Sequence, residues 1–581
     1  MKSIIAYLWV ICLSGANALF GQVTHSVLAA EGSLEPINGN EPSIALDPIS
    51  PNRAVVGVNT STVMRTMDPA LRNWSSVIVS PPQGFYGDPV IKFTDHGVVY
   101  LAHLAKNKEG KWPSFFDRIV FERSDDAGVT FTSTDIGYHL GKMQDKPWFS
   151  MDEWKKSKGY GNVYLTWTEF DSYHSSNPQD SSRIWFARSV DGGRSFQTPV
   201  VISDRGGDAM DDDATAEGAN VTVSPDGSLH AVWSRNDTIW YDCSTDFGKT
   251  WGKDQFVAEQ FGGWNHENVK GTMRVNGMPF IESNAKGHLF VVYSGGACNK
   301  QTMGACKSRD VYLVCKFGAK GSFTVPATVN RPERGMDDAT HRLDVNTPDF
   351  EMTEQYSPAL VTSANKKRVF VAWQDRRRSV TGGFFDVYGA ELVVEPWYRG
   401  KAGNLTWLKR CDNIRLSKTA SVAPGDAVFM GDYIGLDWQK DIVLAYTGFD
   451  ASRLYPVIQL AKLGVKPRLM GLRKIHGVNG VLEPGLTLMV PENVQEKSHT
   501  RSTVEKGRAD EKILIWAEWP GVNNFTIQIK MGSQVVFSHV FENLLDSKVD
   551  FELPLSRFVP GPYEIVLRKK GRSVSFPINL K

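Results

Sequence analysis

The chain has 581 residues, enough for one large and one small domain, and carries 65 Lys+Arg against 64 Asp+Glu for a net charge of +1. That balance excludes a long-range pull toward nucleic acid or an anionic membrane, so any charge-based recognition must be local. Beyond the first 18 residues no apolar run is long enough to cross a bilayer, and no membrane span is expected.

Met1-Lys2-Ser3, the apolar run from Ile4 to Leu13 and Ala16-Asn17-Ala18 make the three parts of a secretory signal peptide, with cleavage after Ala18. A secreted, periplasmic or cell-surface protein is expected. Cys12 lies in the apolar run, and five cysteines follow it: Cys243, Cys298, Cys306, Cys315 and Cys411. Cys298 and Cys306 bracket a short loop and are the best pair for a disulfide in an oxidising compartment; buried free thiols are the alternative reading, Cys315 above all.

From residue 19 to 465 short runs rich in β-branched and aromatic residues alternate with Gly, Asp, Asn and Ser turns, without a sustained 3.6-residue period. The chain reads as all-β. An inner strand followed by a stronger second strand recurs seven times, beginning at Ser43, Pro89, Trp148, Asn220, Pro279, Pro358 and Tyr433. Three segments repeat one frame, Ser-x-Asp-x-Gly-x-Ser/Thr-aromatic: Ser124 to Phe131, Ser189 to Phe196 and Ser244 to Trp251. A repeat of this kind marks an array of similar supersecondary units. In each unit the Asp accepts turn N–H groups, the Gly takes a positive φ and the aromatic packs between neighbouring sheets. Thr66 to Trp74 looks like a decayed copy.

The frame resembles the Asp-box of sialidase-like β-propellers. The resemblance implies a propeller over residues 19–465, with seven blades preferred from the count of units and six, as in sialidases, the alternative. After residue 465 the pattern changes to a C-terminal module, 466–581, with a polar linker at 491–512. Closely spaced strands around the Pro560-Gly561-Pro562-Tyr563 corner then predict an Ig-like β-sandwich.

Acidic residues precede the inner strands in six of the seven units: Glu41, Asp88, Asp145, Glu217, Glu354 and Asp432. Gathered at one end of an axial funnel, such carboxyls repel one another and raise their pKa values, unless a cation neutralises them. The structural alternative is that each caps backbone N–H groups at the start of its strand. Two loops, Met210 to Thr215 and Met336 to Thr340, cluster aspartates that suit a structural Ca²⁺. No P-loop or dinucleotide fingerprint is present and the histidines His103, His174, His266 and His341 lack zinc spacing, so no cofactor is required.

The sialidase resemblance implies roles residue by residue. Tyr356-Ser357 is similar to the tyrosine nucleophile motif, Glu217 to its activating glutamate, and Arg235 and Arg309 to arginines that grip the sugar carboxylate. Where the family opens with an arginine this chain has Asn40-Glu41-Pro42-Ser43, and Val58 to Val63 lacks the acid/base aspartate. Arg376 follows the second strand of the sixth unit and could hold an anionic sugar, or pair with Asp375 or Asp386. Trp112, Trp264, Phe384 and Phe385 are candidate sugar-stacking aromatics or simple packing.

The expected protein is an exported glycan-active member of this superfamily, a glycoside hydrolase with carbohydrate as its partner. Its catalytic candidates are Tyr356, Glu217, Asp88 and Asp145, and its substrate-binding candidates are Arg235, Arg309, Arg376, Glu41 and Asp432. The rivals are a non-catalytic glycan-binding or surface-assembly propeller and a polysaccharide lyase.

Overall fold

The computed structural model describes residues 20–30, 36–50, 52–105, 116–139, 141–266, 269, 271–296, 309–319, 321–330, 354–379, 383–394, 408–410, 413–425, 428–449, 455–465, 468–476, 511–518, 525–541, 548–554, 561–569 and 572–580. The signal-peptide cleavage site, the Cys298/Cys306 pair, Cys411, Trp112, His341, the loop 336–340 and nearly all of the linker 491–512 lie outside these residues.

Every regular element among the described residues is a β-strand, and up to residue 465 they form seven consecutive antiparallel sheets of four or more strands and a two-stranded one, Asn265–His266 with Val275–Asn276. The inner strands are Ser43–Leu46, Gly87–Phe93, Met143–Met151, Glu217–Val223, Phe280–Ser283, Gln355–Thr362 and Gly435–Trp438. Each touches the next, and the seventh touches the first, so the sheets close radially into a ring. This is a β-propeller. The closing sheet takes its outermost strand, Phe20–Val27, from the start of the chain and pairs it with Val457–Val465. Just beyond it the Leu28 N–H donates to the Ile458 carbonyl at 2.9 Å.

The second strand of each sheet lies between two neighbouring sheets, so both its faces are buried and it reads as an unbroken apolar run rather than an alternating one. Val163–Phe170 and Val369–Asp375 are buried along their whole length. Trp167, Trp233 and Trp373 are the largest side chains of these strands and are completely enclosed.

All three repeated segments turn the third strand into the fourth, in the second, third and fourth sheets. In the middle copy Asp191 accepts the N–H groups of Arg194 and Ser195 at 3.1 and 2.9 Å and the Ser195 hydroxyl at 2.5 Å. Ser189 Oγ accepts the Gly193 N–H at 2.8 Å. Asp126 and Asp246 repeat the same bonds. The aromatic reaches the preceding sheet: Phe196 meets Phe121 at 4.9 Å and Trp251 meets Phe186 at 4.9 Å. Thr66 to Trp74 occupies the equivalent turn of the first sheet, with Asp68 accepting from Ala70 and Arg72 and Trp74 fully buried.

Slight burial opposes ionisation of these three aspartates, but the hydroxyl and backbone donors win and hold Asp126, Asp191 and Asp246 at about 2. The folded value lies below the unfolded one near 3.9, so their contribution is present above about pH 4 and is lost as pH falls toward 2. Asp191→Ala is expected to cost about 1 kcal/mol, the scale of a side chain satisfying free N–H groups at a cap. A denaturant midpoint unchanged at pH 7 would refute this.

The chain divides into one unit at Val23–Lys462 and another that includes Leu463–Lys581. In the second, Arg468–His476, Glu511–Glu518 and Lys548–Pro554 form a three-stranded sheet. Gln534–Phe541, Phe525–Met531, Gly561–Lys569 and Arg572–Leu580 form a four-stranded one. Ile527, Ile529, Ile565 and Leu567 are fully buried on the latter.

Candidate functional site

The inner strands surround an axial cavity of about 360 Å³ lined by residues of all seven, from Ile44 in the first to Leu436 in the seventh; Asp95, Glu153, Lys155 and Lys366 place it toward the end where the inner strands finish, and none of the acids that precede those strands lines it. Antiparallel order places the repeated turns at the end of the ring where the inner strands finish, and the acidic residues at the end where they begin.

The acids do not all hold one position at the start of their strands. Four inner strands slip register near their start, skipping two residues each: Asp88-Pro89, Lys146-Pro147, Gly218-Ala219 and Ser357-Pro358. The first skipped residue has positive φ in every case (52°, 50°, 70° and 47°), and Glu41, before Pro42, matches them at 51°. A proline in the bulge costs no ladder bond because it has no N–H to give. Glu41 and Asp88 therefore sit in the bulge, whereas Asp145, Glu217 and Tyr356 lie one residue earlier, still paired to Thr168, Ser234 and Gln374. Asp432 instead follows Gly431, whose φ is 97° and where a Cβ would lie 2.7 Å from Glu41.

The bulge aims these side chains toward one another. Lys146 Nζ lies 2.7 Å from Asp432, 3.2 Å from Asp88 and 3.4 Å from Asp145, so one buried ammonium serves three carboxylates. Arg274 bridges Asp432 at 2.6 Å and Asp211 at 3.0 Å. Asp211 also accepts from the Tyr173 hydroxyl at 2.5 Å and from the Trp264 indole at 3.0 Å. Glu41 Oε1 accepts the Asp432 N–H at 3.1 Å. Five of the predicted residues, Glu41, Asp88, Asp145, Glu217 and Asp432, thus come together at one end of the ring.

Their protonation is driven apart. Burial pushes Asp145 up to about 7 against the pull of Lys146, and Asp88 and Asp211 push with it. Burial, then Asp211 and Asp145, raises Glu217 well above its ordinary value, and burial, then Asp88 and Asp432, does the same to Glu41. At Asp432 burial acts in the same upward sense, but Arg274 and Lys146 overcome it and hold the group ionised well below the usual carboxylate range. Lys146 is raised for the complementary reason: three carboxylates outweigh its burial.

Tyr356 faces a different group. It is fully buried and its hydroxyl has no hydrogen-bond partner, and neither carboxylate oxygen of Glu217 receives a bond from it. Burial raises the phenol, Arg376 lowers it, and Glu354 and Asp375 raise it again. The expected Tyr356–Glu217 couple is therefore not formed. Arg309 at 2.9 Å and Arg376 at 3.3 Å converge instead on Glu354, which burial lifts to about 6 against both cations. Of the pairings considered for Arg376 neither occurs, since Asp375 is taken by Arg377 and Asp386 by Arg415. Arg235 also stands apart: it lies over Trp240 at 5.0 Å, donates to the Gly206 carbonyl, and has Asp254 and Arg205 as its charged surroundings.

Trp264 is packing rather than a sugar platform, buried where a Cβ on Gly218 would lie 2.3 Å from its ring. Phe384 is exposed while Phe385 is buried. Cys243 and Cys315 are free thiols. Among the described residues no group of three or more His, Cys, Asp or Glu is arranged to hold a metal ion. Asp211, which lies in the Met210 to Thr215 loop, is a member of the acid cluster.

Lys146, Arg274, Asp211 and Tyr173 were not recognised as site residues. Lys146 had a signal, standing between Asp145 and Pro147 at the start of an inner strand. Arg274 had none, because it reaches Asp432 across 158 positions of sequence.

No family model matches the chain, and no curated protein matches it. Solved structures similar in fold include a protein of unknown function from Dyadobacter fermentans, 12% identical over 76% of this chain and 99% of that one, TM-score 0.38. The NanB sialidase of Streptococcus pneumoniae is 9% identical over 71% and 83%, TM-score 0.39. The α-L-arabinofuranosidase Arb93A of Fusarium graminearum is 12% identical over 66% and 93%, TM-score 0.37.

Proposed function

We propose that the chain is an exported, seven-bladed propeller with a C-terminal β-sandwich, and that it is a glycoside hydrolase working at the acid-lined end of the ring. The observation that carries this reading is the division of buried carboxyls around one ammonium: Asp145 raised to about 7 and Asp432 held low. One carboxyl group still partly protonated at neutral pH near another held ionised is what acid-assisted glycoside cleavage requires. Asp145 is the proton donor, with Glu217 and Asp88 completing the carboxyl set and Glu41 and Asp432 setting its charge. An exposed aromatic supports a sugar ligand: Tyr86 is 43% exposed, its ring 5.5 Å from the buried Phe116, which in turn meets Tyr173 edge-on at 5.0 Å.

Tyr356→Phe separates this mechanism from a sialidase-type one. With no donor or acceptor on its hydroxyl, Tyr356→Phe is expected to fold normally and to change turnover by less than about tenfold, under ~1.4 kcal/mol of barrier. Release of reducing sugar from neutral, amine-bearing, sialylated and uronate oligosaccharides provides the assay. Failure to cleave any of them would favour the non-catalytic propeller, and an unsaturated product absorbing in the ultraviolet would favour a lyase. A loss of several orders of magnitude in folded Tyr356→Phe would return the nucleophile to Tyr356.

A further inference from the structure

Resting on that reading of the site, we infer that its ligand is an amine-bearing glycan, a sugar with a free ammonium group, and that sialosides and uronates are excluded. Six carboxyl groups, Glu41, Asp88, Asp145, Asp211, Glu217 and Asp432, meet there with two cations, Lys146 and Arg274. Both cations are already committed to carboxylates of the cluster. Of the three arginines proposed to grip an acidic sugar, Arg309 and Arg376 are held on Glu354, and Arg235 stands apart from the cluster, over Trp240 and bonded to the Gly206 carbonyl. An anionic sugar would have to displace a buried carboxylate from its partner, and would meet the remaining acids as like charges in a medium of low dielectric.

The acids, in contrast, are paired mainly with one another. Glu217 is completely buried and no N–H or hydroxyl reaches either of its oxygens; its side-chain hydrogen bond is to the Asp211 carboxyl, acid to acid, through a shared proton. Glu41 Oε1 accepts the Asp432 N–H, and the Glu41 carboxyl shares a second acid-to-acid hydrogen bond with Asp88. An ammonium carries three donors and one positive charge, so it can take the place of the shared proton in such a pair and neutralise both carboxylates. Asp145 and Asp88 are the carboxylates of the cluster that act most strongly on the half-exposed Tyr86, and they are less deeply enclosed than Glu41, Glu217 and Asp432. The exposed Tyr86 ring beside them, backed by the buried Phe116, offers a face for the sugar and for its cation. A cation entering this cluster displaces shared protons, so binding should release protons near neutral pH.

Calorimetric titration of the full chain at pH 7 with the trimers of glucosamine, N-acetylglucosamine and galacturonic acid, in two buffers of different ionisation heat, tests this. The glucosamine trimer is expected to bind at least tenfold more tightly than the other two, with net proton release. Asp88→Asn should weaken it about tenfold, as should Glu217→Gln if that variant folds; Asp88, nearer the surface, keeps the test usable if it does not. Equal or tighter binding of the acetylated or uronate trimer, or glucosamine binding unaffected by Asp88→Asn, would overturn the inference. Asp145-dependent cleavage of neutral glycans without preference for the amine would overturn it and leave the hydrolase reading standing. Tight, proton-releasing amine binding without cleavage would support it and remove the hydrolase. Binding of none of the three would remove both.

Discussion

Lys146→Met is expected to destabilise the propeller by about 3–5 kcal/mol at pH 7, because it removes one partner from a buried charge cluster and leaves the others uncompensated. Lys146 is enclosed, and its ammonium lies within 3.4 Å of Asp145, Asp88 and Asp432. The sign of the pH dependence follows from the direction of each shift. The folded pKa of Lys146 is above the unfolded value, so its contribution is complete throughout the neutral range and fades only at high pH. Asp432 is depressed, so its contribution is present above about pH 4 and is lost on further acidification. Without the ammonium the three carboxylates protonate more readily, and the gap between variant and wild type should narrow from pH 7 to pH 4.5. Urea midpoints at the two pH values measure it. Equal midpoints at pH 7, or a gap that widens at pH 4.5, would show that the ammonium does not hold the cluster together.

Asp145→Asn should abolish turnover almost entirely while leaving the protein folded, and should make it less sensitive to alkali. Loss of a positioned general acid typically costs 10²–10⁴-fold in rate, and an amide cannot donate the proton. The same substitution alters stability in a predictable direction. Asp145 titrates at about 7 in the folded chain and near 3.9 when unfolded. Between those values the native state binds the extra proton, so wild-type stability falls as pH rises from about 4 to about 7. Asparagine has no proton to lose there, so the variant's stability should vary less over that window. Turnover on whichever oligosaccharide is cleaved, together with denaturant midpoints from pH 4 to 8, checks both parts. Full activity in folded Asp145→Asn would remove Asp145 from the chemistry.

The repeated Ser-x-Asp-x-Gly frame was legible because all its bonds are local: Asp191 reaches residues three and four positions ahead, and the Gly and Ser roles are fixed within the same turn. The second strands were legible for a similar reason, since burial on both faces writes an apolar run into the chain. That acids would gather at one end of the ring also followed from their place before the inner strands. Sequence did not reveal that two of them lie in a bulge and two still in the ladder. A slip of one position decides whether a side chain keeps its strand partner, and only the register with the second strand shows it. The Tyr356–Glu217 couple failed for another reason: both hold the same ladder position, but they stand on the sixth and fourth inner strands with the fifth between them. Composition and local spacing by themselves determined the all-β class, the repeating unit and the turn chemistry, which depend on residues a few positions apart. The tertiary structure decided ring closure by Phe20–Val27, the bridge from Arg274 to Asp432, and the choice of Glu354 as the anchor for Arg309 and Arg376. Each of these joins distant parts of the chain through charge and shape in a buried space, where pairing depends on distance and low dielectric rather than on order along the sequence.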